Sequence, residues 1–289
     1  MTQTKPIIQP SLWNGYPVVR VETCEAHAVV SLLGGQVISY IPKGQKDVFW
    51  VSQTLKQPPL PIRGGVPVCW PYFSRQGQSD NVPFHGVART AFWQLASQRQ
   101  HSDGTVTLWL EAPQFKNYAL RLMMEFEIGH VLKQRIITKN IGGIDFPLTQ
   151  ALHSYFNVSQ AERVRVSGVD GCRFVDKFEG ARAVHQQHGD WTLFDSHNPG
   201  RSDRVYQDVQ GMYQIVDEQY KRSIRIQTEG SQSLVIWNPG EVGAAEFDDI
   251  GLQWSSFVCV ETVNAGADVI TLAPGQEHSL SHTLWIQSH

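Results

Sequence analysis

The chain has 289 residues, of which 41% are hydrophobic and 18% charged, with a formal net charge of -3. That is ample material for a large core, in one domain or two. The mild acidic balance argues against a general nucleic-acid binder, which carries a basic surplus. No apolar run approaches the roughly 20 residues needed to span a bilayer as a helix.

The residues after Met1 lack the apolar stretch of a signal peptide. Cys24, Cys69, Cys172 and Cys259 are scattered, with no C-x-x-C pair, so zinc ribbons and redox motifs lack support. They read as free thiols in a reducing compartment, and the expectation is a cytoplasmic protein with no membrane partner.

In chain order, the first unusual stretch is residues 61–73, where Arg63 precedes Gly64-Gly65 among prolines and aromatics. It reads either as a loop that presents Arg63 to a ligand or as a packed loop with an exposed arginine. The Gly pair is no phosphate-binding fingerprint. Phe84-His85-Gly86-Val87-Ala88-Arg89 follows. Arg89 suits a bidentate clamp on phosphate or carboxylate, or a structural ion pair.

Strand signals then dominate. Residues 105–110, 121–128 and 132–138 read as strands, the second because Leu122, Met124, Phe126 and Ile128 alternate with Arg121, Met123, Glu125 and Glu127. Residues 149–157 form a strand-like run that places His153 on one face with Ala151, Tyr155 and Asn157. A lone histidine there is either a hydrogen-bonded core residue or a catalyst. His185, His188 and His197 match no metal-site spacing and read as solvated loop histidines. Asp203, just before a strand at 204–209, reads as a turn cap or as an acceptor for sugar hydroxyls.

Residues 213–216, 222–228, 233–237 and 283–286 are further strands, punctuated by turns such as Asn238-Pro239-Gly240 and Ala273-Pro274-Gly275. Asp248-Asp249 reads as a turn. In residues 257–264 alternation sets Glu261 with Phe257, Cys259 and Val263. A carboxylate in that apolar set needs a partner or a raised pKa. No capped amphipathic run is long enough for a confident helix assignment. The architecture expected is all-β: one large antiparallel β-sandwich over residues 1–289, with long loops and little helix. A closed barrel is the alternative.

Taken in order, Ile62-Arg63-Gly64-Gly65-Val66-Pro67-Val68-Cys69-Trp70-Pro71, His85-Gly86-Val87-Ala88-Arg89, Leu152-His153-Ser154-Tyr155-Phe156, Ser202-Asp203-Arg204-Val205-Tyr206, Val235-Ile236-Trp237-Asn238-Pro239 and Val260-Glu261-Thr262 resemble the aldose 1-epimerase (galactose mutarotase-like) superfamily. More narrowly, they resemble its hexose-6-phosphate mutarotase branch. The resemblance implies a β-supersandwich with an open groove. It implies that His153 and Glu261 are the catalytic pair, and that Arg63, Arg89 and Asp203 bind substrate, with His85 placed to hydrogen-bond a ring hydroxyl or developing charge. Phe84 departs from the pattern, because relatives can carry a polar, substrate-contacting residue there.

The implied reaction exchanges hexose anomers by opening the C1–O5 bond. Glu261 would take the proton of the C1 hydroxyl and His153 would protonate O5. The arginines would hold a 6-phosphate remote from C1. Neither metal nor organic cofactor is called for, and a monomer is plausible. The competing readings are a mutarotase for unphosphorylated aldoses such as galactose, a non-catalytic carbohydrate-binding or sugar-sensing domain and, last, a glycoside hydrolase, which needs two suitably separated carboxylates.

Overall fold

The computed structural model describes residues 5–78, 82–180, 183–195, 197 and 200–289. Two eight-stranded antiparallel sheets carry most of the chain. The site sheet runs, edge to edge, through Val184–Gln186, Arg173–Asp176, Ser202–Gln207, Ser233–Asn238, Phe257–Asn264, Gln150–Leu152 and Val68–Cys69, with Tyr155–Asn157 also paired to Phe257–Asn264. The back sheet contains Leu120–Ile128, Leu132–Asn140, Arg222–Glu229 and Glu277–Ser288 at its centre. The expected sandwich is therefore present. The single α-helix among the described residues is the five-residue Gly240–Ala244. Among them, no helix is long and apolar enough to cross a membrane.

Strand alternation builds the core. Val258 and Val260 join Leu152, Phe156, Leu234 and Ile236 on the inner face of the site sheet, against Leu122, Met124, Ile136, Ile226 and Leu280 of the back sheet. Burial of this many apolar side chains, at about 25 cal/mol per Å², is the main stabilising term. Trp70 crosses between the sheets, its indole N–H donating to Thr138 Oγ1 at 3.0 Å.

A four-stranded sheet, Ile7–Trp13 to Gln36–Pro42, packs at one end. The sequence reading identified no strand there. In Tyr16–Glu22 both faces are covered: Val19 and Val21 enter the main core, while Tyr16 and Val18 enter a second cluster with Leu33, Ile38 and Ile62. A strand buried on both faces loses the polar alternation that marks a half-buried one.

Candidate active site

The outer face of the site sheet carries the candidate residues. Register sets them side by side: Asp203 pairs with Trp237, Trp237 with Cys259, and Val235 with Glu261. Glu261 lies mid-strand in Phe257–Asn264, a strand buried along its whole length. Its face is shared with Phe257, Cys259 and Val263, as alternation predicts.

His153 differs from the sequence reading. The run 149–157 is not one strand but two, Gln150–Leu152 and Tyr155–Asn157. Between them the Ser154 N–H turns back to the Leu152 carbonyl at 2.9 Å, and the His153 N–H donates to the Pro67 carbonyl at 3.0 Å. This break in the ladder ties the histidine to the arginine-bearing loop. The His153 ring stacks on Tyr155 with centroids 4.8 Å apart and 7° between planes. Its Nδ1 lies 3.5 Å from Glu261 Oε1. The imidazole and the carboxylate that the sequence could only nominate therefore face each other.

Both groups are nearly sealed from water, at 9% and 1% exposure. Burial pushes the Glu261 carboxyl well above the ordinary carboxylate range; Asp203 adds to the rise and Lys177 opposes it. Burial, then the positive fields of Arg89 and Arg63, hold His153 well below the ordinary imidazole value. Neutral forms are thus favoured on both sides, so a proton shared by the pair favours the carboxyl over the imidazole. One proton on two groups is the state an acid/base pair requires.

His85 supplies a third ring, edge-on to His153 at 5.6 Å. Its backbone adopts φ 66°, uncommon for a residue with a side chain. Two reciprocal bonds hold it there: the His85 N–H donates to the Ser74 carbonyl at 3.1 Å, and the Ser74 N–H donates to His85 Nδ1 at 3.0 Å. Since Nδ1 accepts, the proton of the neutral ring sits on Nε2, which is left as a donor. Burial and Arg89 keep the ring neutral by pulling its pKa well below the usual value. Gly86 follows because a Cβ there would overlap the Trp70 carbonyl.

Asp203 is the second residue of the strand Ser202–Gln207, not a turn cap before it. Its carboxylate lies 3.6 Å from the Lys177 ammonium. Burial raises its pKa and Lys177 opposes the rise. Lys177 itself sits over the Phe73 ring at 4.6 Å. Sequence reasoning missed this lysine, since a lone lysine carries no pattern.

His85, His153, Asp203, Glu261 and Phe84 line a cleft of about 170 Å³ with Arg63 and Trp237. A second lobe of about 160 Å³ shares Arg63, His153 and Tyr155 and adds Arg89, Lys56 and Asp249. Together the lobes approach the lower end of small-molecule sites, roughly 300 Å³. Lys56, Arg63 and Arg89 line the second lobe with Asp249, and Lys56 is paired with Asp248 at 2.9 Å. Arg63 is not free in it: Nε pairs with Asp249 Oδ2 at 3.1 Å and Nη1 donates to the Tyr155 hydroxyl at 3.2 Å. Asp249, read as a turn residue, is buried and orients this arginine. Gly64 allows the loop's close approach, because a Cβ there would strike the Trp50 carbonyl. Arg89 Nη2 donates to the Phe84 carbonyl at 2.7 Å.

His153, Cys259 and Glu261 bring possible metal-ligand atoms within 4.8 Å of one another. Burial raises the Cys259 thiol well above its usual pKa, so it stays protonated and is a poor ligand. The reading of His185, His188 and His197 as solvated loop histidines holds for exposed His188 only. The rings of His185 and His197 lie 4.1 Å apart, beside Glu179.

Comparison with known proteins agrees with this architecture. Residues 17–285 match the family model described as aldose 1-epimerase. An Escherichia coli K12 protein named "Putative glucose-6-phosphate 1-epimerase" is 33% identical over 272 residues, covering 91% of this chain and 88% of the relative. A Cenchrus ciliaris protein of the same name is 30% identical, covering 86% and 78%. A solved Salmonella typhimurium structure described as a "putative mutarotase" superposes with TM-score 0.87 at 28% identity, over 98% of this chain and 94% of that one. A galactose mutarotase-like protein from Clostridium acetobutylicum shares the fold, with TM-score 0.71 at 14% identity and full coverage of both chains.

Proposed function

The chain belongs to the aldose 1-epimerase family, and from that premise we propose that it interconverts the α and β anomers of glucose 6-phosphate and related hexose 6-phosphates. The observation that carries this reading is the His153–Glu261 pair, 3.5 Å apart, in a cleft whose neighbouring lobe presents Lys56, Arg63 and Arg89. Relatives that cover most of the chain bear a glucose-6-phosphate 1-epimerase name.

The chemistry follows from the charges. Burial, and after it Arg89 and Arg63, depress the basicity of His153. A phosphate dianion seated against them offsets that field, so the shared proton moves towards the imidazole and leaves Glu261 ionised. Glu261 then takes the proton from the C1 hydroxyl as the C1–O5 bond breaks. His153 delivers its proton to O5. The open aldehyde turns about C1–C2, and ring closure on the other face returns both protons. The phosphate contact and the protonation state of the pair are thereby linked, and binding energy far from C1 prepares the reacting end. His85 donates from Nε2 to a ring hydroxyl, and Asp203 accepts from another.

The test compares exchange of glucose 6-phosphate and of free glucose by NMR, for the wild type and for Arg89→Ala. Charge-assisted contacts are worth about 1.5–3 kcal/mol each, so kcat/KM for the phosphosugar is expected to fall about 10- to 100-fold, with a smaller change for glucose. Equal losses on both sugars would remove the phosphate role. One observation favours a mutarotase for unphosphorylated aldoses instead: Arg63 is already paired with Asp249. That reading gains if free glucose or galactose is the faster substrate.

A further inference from the structure

We propose that Glu179, His185 and His197 form a site for one divalent transition-metal ion, with zinc the best match, at the outer edge of the site sheet. The three residues come from separate segments: the 3-10 turn Lys177–Glu179, the edge strand Val184–Gln186 and the loop beyond it. Their ligand atoms all lie within 4.8 Å of one another. Both imidazoles turn the same nitrogen, Nε2, to one carboxylate, His185 at 2.8 Å from Oε2 and His197 at 3.5 Å from Oε1. Ligands bound at 2.0–2.1 Å to a tetrahedral zinc sit about 3.3–3.5 Å apart. Small side-chain rotations therefore close the set.

Three further observations point to a cation. The Nε2 atom of His197 is shielded from solvent and, among the described residues, makes no hydrogen bond, a position that costs free energy unless something binds it. A second carboxylate oxygen, Asp176 Oδ2, lies 3.6 Å from that same atom. The rings are backed rather than loose: Phe174 packs on both, with centroids 5.5 Å from His185 and 5.3 Å from His197. The Asp195 carboxylate accepts the His197 backbone N–H at 2.9 Å and is itself held by Arg204. Two imidazoles and a carboxylate suit zinc, cobalt or nickel better than magnesium or calcium, which prefer oxygen sets. Partial exposure leaves an entry path, with 44% of the Glu179 and 29% of the His185 side chain open.

The site would be structural. Glu179 is two residues from Lys177, which faces Asp203 in the cleft. An ion there ties that turn to the edge strand and the following loop, fixing the segment that carries the lysine.

The experiment uses the tag-free full chain, stripped with chelator and then titrated with cobalt and with zinc. Readouts are visible absorption for cobalt, and elemental analysis after dialysis together with thermal melting for zinc. One equivalent is expected to bind, giving tetrahedral cobalt bands and a higher melting temperature. His185→Ala and His197→Ala should each weaken binding at least tenfold and abolish the thermal gain. Glu261→Gln, which disables the His153–Cys259–Glu261 cluster, should retain both. Absence of stoichiometric binding to the wild type overturns the proposal. So does binding that survives both histidine variants or disappears in Glu261→Gln. Because His185 is partly exposed, His185→Gln provides a milder substitution with the same expected loss.

Discussion

Glu261→Gln separates the chemistry of the pair from its contribution to the fold. The glutamine keeps the shape but can neither accept nor return a proton. Loss of one acid/base partner costs about 10²–10⁴-fold in rate, or roughly 3–5 kcal/mol of barrier. Stability should move the other way. Glu261 is 1% exposed, its Oε2 atom has no hydrogen-bond partner among the described residues, and its Oε1 atom lies 3.5 Å from the His153 imidazole. Because its folded pKa is raised, the native state holds a proton that the unfolded chain releases above about pH 4.5. Wild-type stability from this group is therefore present at low pH and lost as pH rises towards the folded pKa. The variant has no such loss. Its stability relative to wild type should rise by up to about 1.4 kcal/mol per pH unit across that window. At about 2–4 °C per kcal/mol, melting curves at pH 5, 6 and 7 resolve the trend. NMR anomer exchange measures the rate on the same samples. A rate within about tenfold of wild type, or a melting difference that does not grow with pH, refutes the reasoning.

Lys177 lowers the pKa of Glu261 and of Asp203. In Lys177→Met both carboxyls should titrate higher, moving the acid limb of the pH–rate profile upward; an unmoved limb contradicts its assigned field. Tyr155→Phe removes the hydroxyl that accepts from Arg63. The freed guanidinium should bind phosphosugar at least as tightly, and a large rise in KM would show instead that Tyr155 positions Arg63 productively. His282 is buried, its ring nitrogens have no hydrogen-bond partner among the described residues, and its pKa is pushed down to about 3 by burial. Its contribution to stability is present above about pH 6.5 and lost as pH falls. Between pH 7 and pH 5 the wild type should lose about 2 kcal/mol that His282→Leu does not, and parallel denaturation profiles would exclude this.

Much of the fold is written in alternation. Residues 121–128 and 222–228 send alternate apolar side chains into the core, although Glu125, Arg222 and Ser223 are buried as well, and those strands stand at the centre of the back sheet. The N-terminal sheet left no such trace, since Tyr16 and Val18 enter one cluster while Val19 and Val21 enter another. For the site, alternation placed His153 with Tyr155 and Glu261 with Cys259. The pairing of Tyr155 with Cys259 across strands is what brings the two faces together. Register is a tertiary property, so the 3.5 Å contact was not readable from either run. The electrostatic partners were equally silent. Lys56, Lys177 and Asp249 occur in unpatterned segments, and only folding aims them at the cleft. Glu179, His185 and His197 have no motif spacing, because a turn, an edge strand and a loop bring them together.

The most direct measurement is exchange NMR on glucose 6-phosphate labelled at C1, with wild type, His153→Ala, Glu261→Gln and the double variant. The predicted result is fast exchange with wild type and a loss of at least about 10²-fold in each single variant. The double variant should be little slower than the worse single one, since the two residues act as a unit. Wild-type exchange no faster than buffer, or single variants as fast as wild type, would contradict the assignment of His153 and Glu261 as the acid/base pair.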